Sequence, residues 1–325
     1  MTRNRRYLAA TMLAIALLAN GAHAQEGGAY PARPLKFMIG FGPGGSTDLM
    51  SRMFAQKLAE RLGQVVVPEL KTGASGTIAS DAVAKAPPDG LTLIMLTGAH
   101  PVVGVMMRKL PHDPVRDFAM VSTVVAYPVA IVVPANSPHK SIEELLAAAR
   151  SAPRSISFAS VGNGSGQHLI GEWIGAEAGL EFLHVPFRGA PAALTELLAG
   201  RVDMMIDTMT SAYPQVKAGK TRALALTTRN GSRFLPDVPS ISRVLPSVDF
   251  ASWAGVATTG GTPRPIVDRL NRELHSILKL PDVTAQLDAL GGEPNPSTPE
   301  AMQQLVSGEM ARWTKVVADR KIERQ

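Results

Sequence analysis

Residues 38–48 read MIGFGPGGSTD, and within them Gly40, Gly42 and Gly45 fit G-x-G-x-x-G. A glycine-rich turn between a strand and a helix brings backbone N–H groups close to a ligand. The helix dipole behind it favours negative charge. Glu69 follows at roughly the distance where dinucleotide sites keep an acidic ribose ligand. Two residues argue against a dinucleotide. Pro43 removes one backbone donor, and Asp48 sets a negative charge where pyrophosphate would lie. The remaining readings are a cradle for another anion, a phosphate or a carboxylate, and a plain tight turn.

A second loop repeats the device. Residues 159–172, ASVGNGSGQHLIGE, place Gly162, Asn163 and Ser165 between a strand and a helix, with His168 on the first turn. Ser165 is suited to cap that helix. It is not a nucleophile elbow, because Asn163 stands where G-x-S-x-G needs its first glycine. His168 reads either as a ligand contact or as a structural histidine. In residues 202–212, VDMMIDTMTSA, Asp207 and Thr208 end a buried strand, where open α/β sheets bind ligands. Asp207 either accepts from a ligand amine or hydroxyl or caps the next helix, and Asp203 reads as surface. The histidines His100, His112, His139, His168, His184 and His275 show no metal-ligand spacing. No general base stands beside a nucleophile, so binding without chemistry, without metal and without cofactor is the simplest reading.

The elements that must position these loops alternate. Strands are expected at 35–39, 64–68, 92–96, 120–125, 130–133, 157–159, 181–185, 204–206, 223–227 and 255–257. Helices are expected at 48–62, 77–85, 142–149, 167–178, 190–199, 264–278, 283–290 and 299–318. This is an α/β pattern with parallel sheets. Ser46 or Thr47 is expected to cap the first helix, with Gly63 ending it. Ser141 with Glu144 forms a capping box, and Thr298 before Pro299 opens the last helix. Pro263 and Pro265 open a helix carrying Leu270, Leu274 and Leu278 on one face.

Arg3, Arg5 and Arg6, the apolar run from Tyr7 to Ala19, and Ala22-His23-Ala24 form a secretory signal with cleavage after Ala24. The run is too short to span a bilayer. The chain is therefore expected in the periplasm. It contains no cysteine, which excludes disulfides, thiolate metal sites and a lipid-anchored N-terminal cysteine. The net charge of +6 includes the three signal arginines, and the rest are scattered without a basic stripe, which argues against nucleic acid.

At this point the residues match a known pattern. YPARPLKFMIGFGPGGSTD, DAVAKAPPDGLTL, GNGSGQHLIGE, HVPFRGAPAALTELLAGRVDMMID and GTPRPIVDRLN together resemble the Bug/TctC family, the extracytoplasmic solute-binding proteins of tripartite tricarboxylate transporters. The likeness runs from about Tyr30 to Ile322. It implies a two-domain periplasmic binding protein fold, a type II Venus flytrap of two α/β domains joined by two crossing strands. Domain 1 would comprise residues 25–126 and 249–325, and domain 2 residues 127–248. The crossings would lie near Ala130 to Val133 and Gly255 to Ala257.

The resemblance also implies a site. The loop of Phe41, Gly44, Gly45, Ser46, Thr47 and Asp48 would hold one carboxylate. Gly162, Asn163, Ser165, His168, Asp207 and Thr208 would meet the other end of the ligand, and Thr97, Gly98 and His100 would face the same cleft. The family loop usually reads Phe-Pro-Pro-Gly-Gly, and Gly42 replaces the first of those prolines. The implied partners are a small carboxylate and membrane permease subunits, with the protein acting as a monomer. Two other roles compete with transport: a ligand-loaded partner of a membrane receptor kinase, and an exported NAD-dependent oxidoreductase.

Overall fold

The computed structural model describes residues 30–324; the expected signal at 1–24 lies outside them. Strand β1 (Leu35–Ile39) pairs in parallel with β2 (Val66–Leu70) and β3 (Thr92–Thr97). Pro68 sits in β2, an edge strand, where a missing N–H is tolerated. Helices α1 (Ser46–Leu62), α2 (Thr77–Ala84) and α3 (Ala99–Met106) follow these three strands in turn. The longest strand, β4 (Phe118–Pro134), then runs through the whole molecule.

The second half holds α4 (Ile142–Ser151), β5 (Ser157–Ser160), α5 (Gly166–Ala178), β6 (Leu183–Pro186), α6 (Ala190–Leu198), β7 (Met204–Thr208), α7 (Met209–Lys217) and β8 (Thr221–Leu226). Strand β9 (Ala251–Thr259) returns to the first half. Helices α8 (Arg264–Ile277) and α9 (Pro281–Ala289), the short β10 (Glu293–Pro294) and α10 (Pro299–Asp319) complete the chain.

The expected parallel sheets are found to be mixed. β5 pairs in parallel with β6 and β7, but β3–β9, β4–β9, β4–β7, β4–β8 and β4–β10 are all antiparallel. The two strands expected at 120–125 and 130–133 are one. Pro128 lies between those two spans; it falls opposite Ala251 where pairing with β9 ends, and pairing with β7 begins at Val129. Register shifts in β4 between Met120 and Ser122 and between Thr123 and Val125 accommodate its length.

Two α/β lobes thus share β4, and the chain returns between them at Phe250–Ala251. Gly255 to Ala257 pairs wholly inside the first lobe. Thr227 stitches this junction: its Oγ1 accepts from Val129 N–H at 2.9 Å and donates to the Phe250 carbonyl at 2.7 Å. Helix α10 braces both lobes. Met302 and Val306 pack with Met38, Ile94 and Trp253, while Trp313, Val316 and Val317 pack with Phe158, Ile174 and Phe250.

Three caps follow local sequence. Ser141 and Thr298 accept from the N–H three residues on, and Gly63 ends α1 at φ 66°. The apolar face of α8, with Val267, Leu270, Leu274 and Ile277, is buried. Helix α3 and strand β10 were not expected, and α7 was weighed only as a helix after Asp207, without bounds. Pro101 and a valine-rich run mask α3, and Pro214 lies inside α7. Pro101 is tolerated because it lies in the first turn, where the N–H has no intrahelical partner.

Candidate functional site

Between the lobes lies a cavity of about 760 Å³. Five helices start at its wall. α1 presents Gly45, Ser46 and Thr47; α3 presents Gly98 and Ala99; α5 presents Ser165 and Gly166; α6 presents Gly189 and Ala190; α7 presents Thr208 and Thr210. Each helix start carries unpaired N–H groups and about half a positive charge. Among the described residues, no lysine, arginine or histidine lines the cavity. Its donors to an anion are therefore backbone N–H groups together with hydroxyl and amide side chains.

The first glycine loop is built from its own side chains. The expected caps Ser46 and Thr47 are displaced: Gly45, at φ −76° and ψ 163°, is the N-cap of α1, and no side chain caps the helix. Gly44 adopts φ 77°, which favours glycine, and its N–H donates to Asp48 Oδ2 at 2.9 Å. Asp48 is buried, and its Oδ1 accepts from Arg52 Nε at 2.8 Å. One N–H of the loop is thus spent internally, while the start of α1 faces the cavity.

The dinucleotide reading loses two of its residues, Gly40 and Glu69, while Gly42 and Gly45 line the cavity. A Cβ on Gly40 would meet Gly76 Cα at 2.8 Å, so Gly40 serves close backbone packing. Glu69 pairs with Lys36 at 3.1 Å. Neither residue lines the large cavity.

The second loop is satisfied differently. Ser165 Oγ accepts from His168 N–H at 3.2 Å and caps α5. Gly164, at φ 68°, donates its N–H to His168 Nδ1 at 3.1 Å. The His168 ring stacks on His184, with centroids 3.8 Å apart, and His184 Nε2 meets Ser160 Oγ at 2.7 Å. Burial pushes His168 down to about 4; burial and the neighbouring ring push His184 down to about 3. Both are neutral rings that stiffen the loop.

The structure brings Phe41, Gly44, Gly45, Ser46, Thr47, Thr97, Gly98, Ser165, Asp207 and Thr208 together on the cavity wall. It places Asp48, His100, Gly162, Asn163 and His168 off that wall. His100 is buried: its Nε2 donates to the Pro114 carbonyl at 2.9 Å, its ring stacks on His112, and burial pushes it down to about 4. Sequence reasoning placed Thr97 and Gly98 in the site without the helix that starts there, and it expected the α6 helix without giving its start a place in the site. It also missed Tyr127, Ser211, Gln215, Ser252 and Trp313 on the wall. The glycine at 189, at φ 95° before Pro191, was the available signal for the α6 start.

Among the described residues, two ionisable side chains line the cavity, Tyr127 and Asp207. Burial raises Tyr127 to about 12. Asp207 is 3 % exposed, and its Oδ1 accepts from Thr208 N–H at 2.9 Å. Burial pushes it up to about 7, with the Ser211 hydroxyl and Thr208 N–H pulling the other way. Asp203 is exposed and accepts from Ser157.

The arrangement has known counterparts. The family model TctC, described as the tripartite tricarboxylate transporter family receptor, matches residues 50–322. A UPF0065 protein in the tcbD-tcbE intergenic region of Pseudomonas sp. (strain P51) is 39% identical over 317 residues, covering 97% of this chain and 94% of the relative. The structure of R. palustris Rpa4515 with adipate has a TM-score of 0.82 and 34% identity, covering 90% of this chain and 99% of that one. The periplasmic binding protein BugD has a TM-score of 0.80 and 31% identity, covering 91% and 100%. The chain belongs to the TctC family of periplasmic solute-binding proteins.

Proposed function

From that membership we propose that this protein captures a small carboxylate between its lobes and delivers it to permease subunits of a tripartite tricarboxylate transporter. The observation that carries the reading is the convergence of five helix starts on one cavity lined by no cationic side chain. A carboxylate there is held by N–H and hydroxyl donors, with Gly45, Ser46 and Thr47 on the first lobe and Ser165 and Thr208 on the second. The adipate bound to Rpa4515 is a ligand of this chemistry.

Capture and release require closure about the Tyr127–Val129 and Phe250–Ala251 connections. A ligand drives closure only through contacts made when both lobes meet. The protein acts as a periplasmic monomer after loss of residues 1–24, and it catalyses no reaction. Its domains are 25–126 with 249–325, and 127–248.

A thermal-shift screen of carboxylates, with NAD as the control, tests this. Saturation by one carboxylate at a hundred times its Kd stabilises by about 2.7 kcal/mol and raises Tm by several degrees. Stabilisation by NAD alone, with every carboxylate inert, would overturn it. Uptake of the stabilising acid by cells lacking this protein, with and without its gene restored, then tests delivery.

A further inference from the structure

One side chain runs against the character of the cavity wall. Amid five helix starts and no cation, β7 sets a carboxyl group, Asp207, into the second-lobe side. It is 3 % exposed, pairs in the sheet with Ala130, and has Thr208 N–H and the Ser211 hydroxyl as partners. Among the described residues, no basic side chain pairs with it.

The titratable groups on the elements packed against β7 are engaged elsewhere. On α5, His168 stacks on His184, Glu172 pairs with Arg320, and Glu177 accepts from Trp173 and Ser247. On α6, Glu196 pairs with Arg201, and on α7 Lys217 lies over the Tyr213 ring. Strand β4 brings Tyr127, held neutral by burial, and β5 brings none. What meets Asp207 inside the closed cavity is therefore the ligand.

A carboxylate docked at the start of α1 leaves its far end toward the second lobe. If that far end is a second carboxylate, two like charges face each other in a desolvated pocket, which is strongly unfavourable unless a proton is shared between them. A donor at that end meets a ready acceptor instead.

We infer that Asp207 is a specificity-determining residue that selects a hydrogen-bond donor at the ligand end remote from its carboxylate. The preferred class is a monocarboxylate with a distal ammonium, amide N–H or hydroxyl, and a diacid enters only together with a proton. This rests on the carboxylate reading of the cavity. Because burial already holds Asp207 near 7, a bound diacid raises it further. Diacid binding then takes up one proton and weakens with rising pH, whereas a cationic end favours ionised Asp207 and binds better above neutrality.

Calorimetry on the mature protein with matched pairs tests the inference: succinate with γ-aminobutyrate, glutarate with δ-aminovalerate, and adipate with ε-aminocaproate. At about pH 8.5 the amino acid of the best-fitting length should bind roughly tenfold tighter than its diacid, and the diacid should gain tenfold or more on going to about pH 6.5. Asp207→Asn keeps an acceptor for Thr208 N–H while removing the charge, and should flatten the diacid's pH dependence. If that variant does not fold, the wild-type pH profiles decide alone. A diacid that binds as tightly at both pH values and matches its amino acid partner overturns the role of Asp207. Failure of every pair at both pH values overturns the carboxylate reading itself, and this inference with it.

Discussion

Gly44 and Gly164 hold the same place in their lobes. Each precedes a helix N-cap, each sits at positive φ (77° and 68°), and each donates its N–H to the side chain four residues on. The acceptor is Asp48 in one loop and His168 in the other. The N-cap is Gly45 in one and Ser165 in the other. The second loop is closed on itself: a serine caps its helix and a stacked, neutral histidine pair backs it. The first leaves its helix start uncapped and offsets the Asp48 charge with Arg52 behind it. A single strand–glycine–helix plan therefore yields an open anion cradle on one lobe and a stiff counter-surface on the other. A glycine cap leaves the donors free for ligand, while a serine cap uses one of them.

The sharpest way to break this contrast is Gly45→Asp. The position has β-region dihedrals and room for a Cβ, whose nearest neighbour would be Gly42 O at 3.5 Å. Aspartate is a better cap than glycine by a few tenths of a kcal/mol, so Tm should hold or rise. Its charge and its claim on the N–H groups should weaken carboxylate binding by about 100-fold, roughly 2.7 kcal/mol. Calorimetry beside a melting curve reads both effects, and unchanged affinity would refute the cradle.

In the second loop, Ser165→Ala should cost about 1 kcal/mol of stability, measured by urea unfolding, with a smaller loss of affinity than Gly45→Asp causes. The histidine pair gives a pH signature. Its rings are held below the ordinary histidine range, so the unfolded chain binds more protons. Stability is complete above about 6.5 and is lost as pH falls toward about 4. In His168→Gln, which keeps an acceptor for Gly164 N–H, the drop in Tm across that window should shrink. The smallest effect is expected from Asp48→Asn. Removing one negative charge near the cradle, while keeping an acceptor for Gly44, should tighten carboxylate binding by about threefold, on the order of 0.6 kcal/mol.

Much of the frame was legible. Residues 35–39 and 92–96 were readable as apolar β runs, and Ser141, Ser165 and Thr298 as caps, because these depend on neighbours a few residues apart. Ser46 and Thr47 misled. A hydroxyl beside a helix start is ordinarily a cap, but Asp48 reaching back to Gly44 fixes the turn one residue earlier. Strand β4 was expected as two pieces, at 120–125 and 130–133, with Pro128 in the gap between them. The structure places it where one partner strand ends and Val129 N–H turns to Thr227 Oγ1. Helix α3 was hidden by its valines, whose β propensity is overridden by packing on α10 and the sheet.

By itself the sequence determined the alternation of strands and helices, the two glycine loops, the absence of thiol chemistry and the family likeness. Each is written in short-range pattern or composition. Only the tertiary structure decided that five helix starts share one cavity, that His100 and His168 turn away from it, and that Asp207 lines it without a cation. Those facts hang on pairings between residues far apart in the chain, such as Ala130 with Asp207 and Pro128 with Ala251. No local preference encodes such pairings; burial of the joint core selects them.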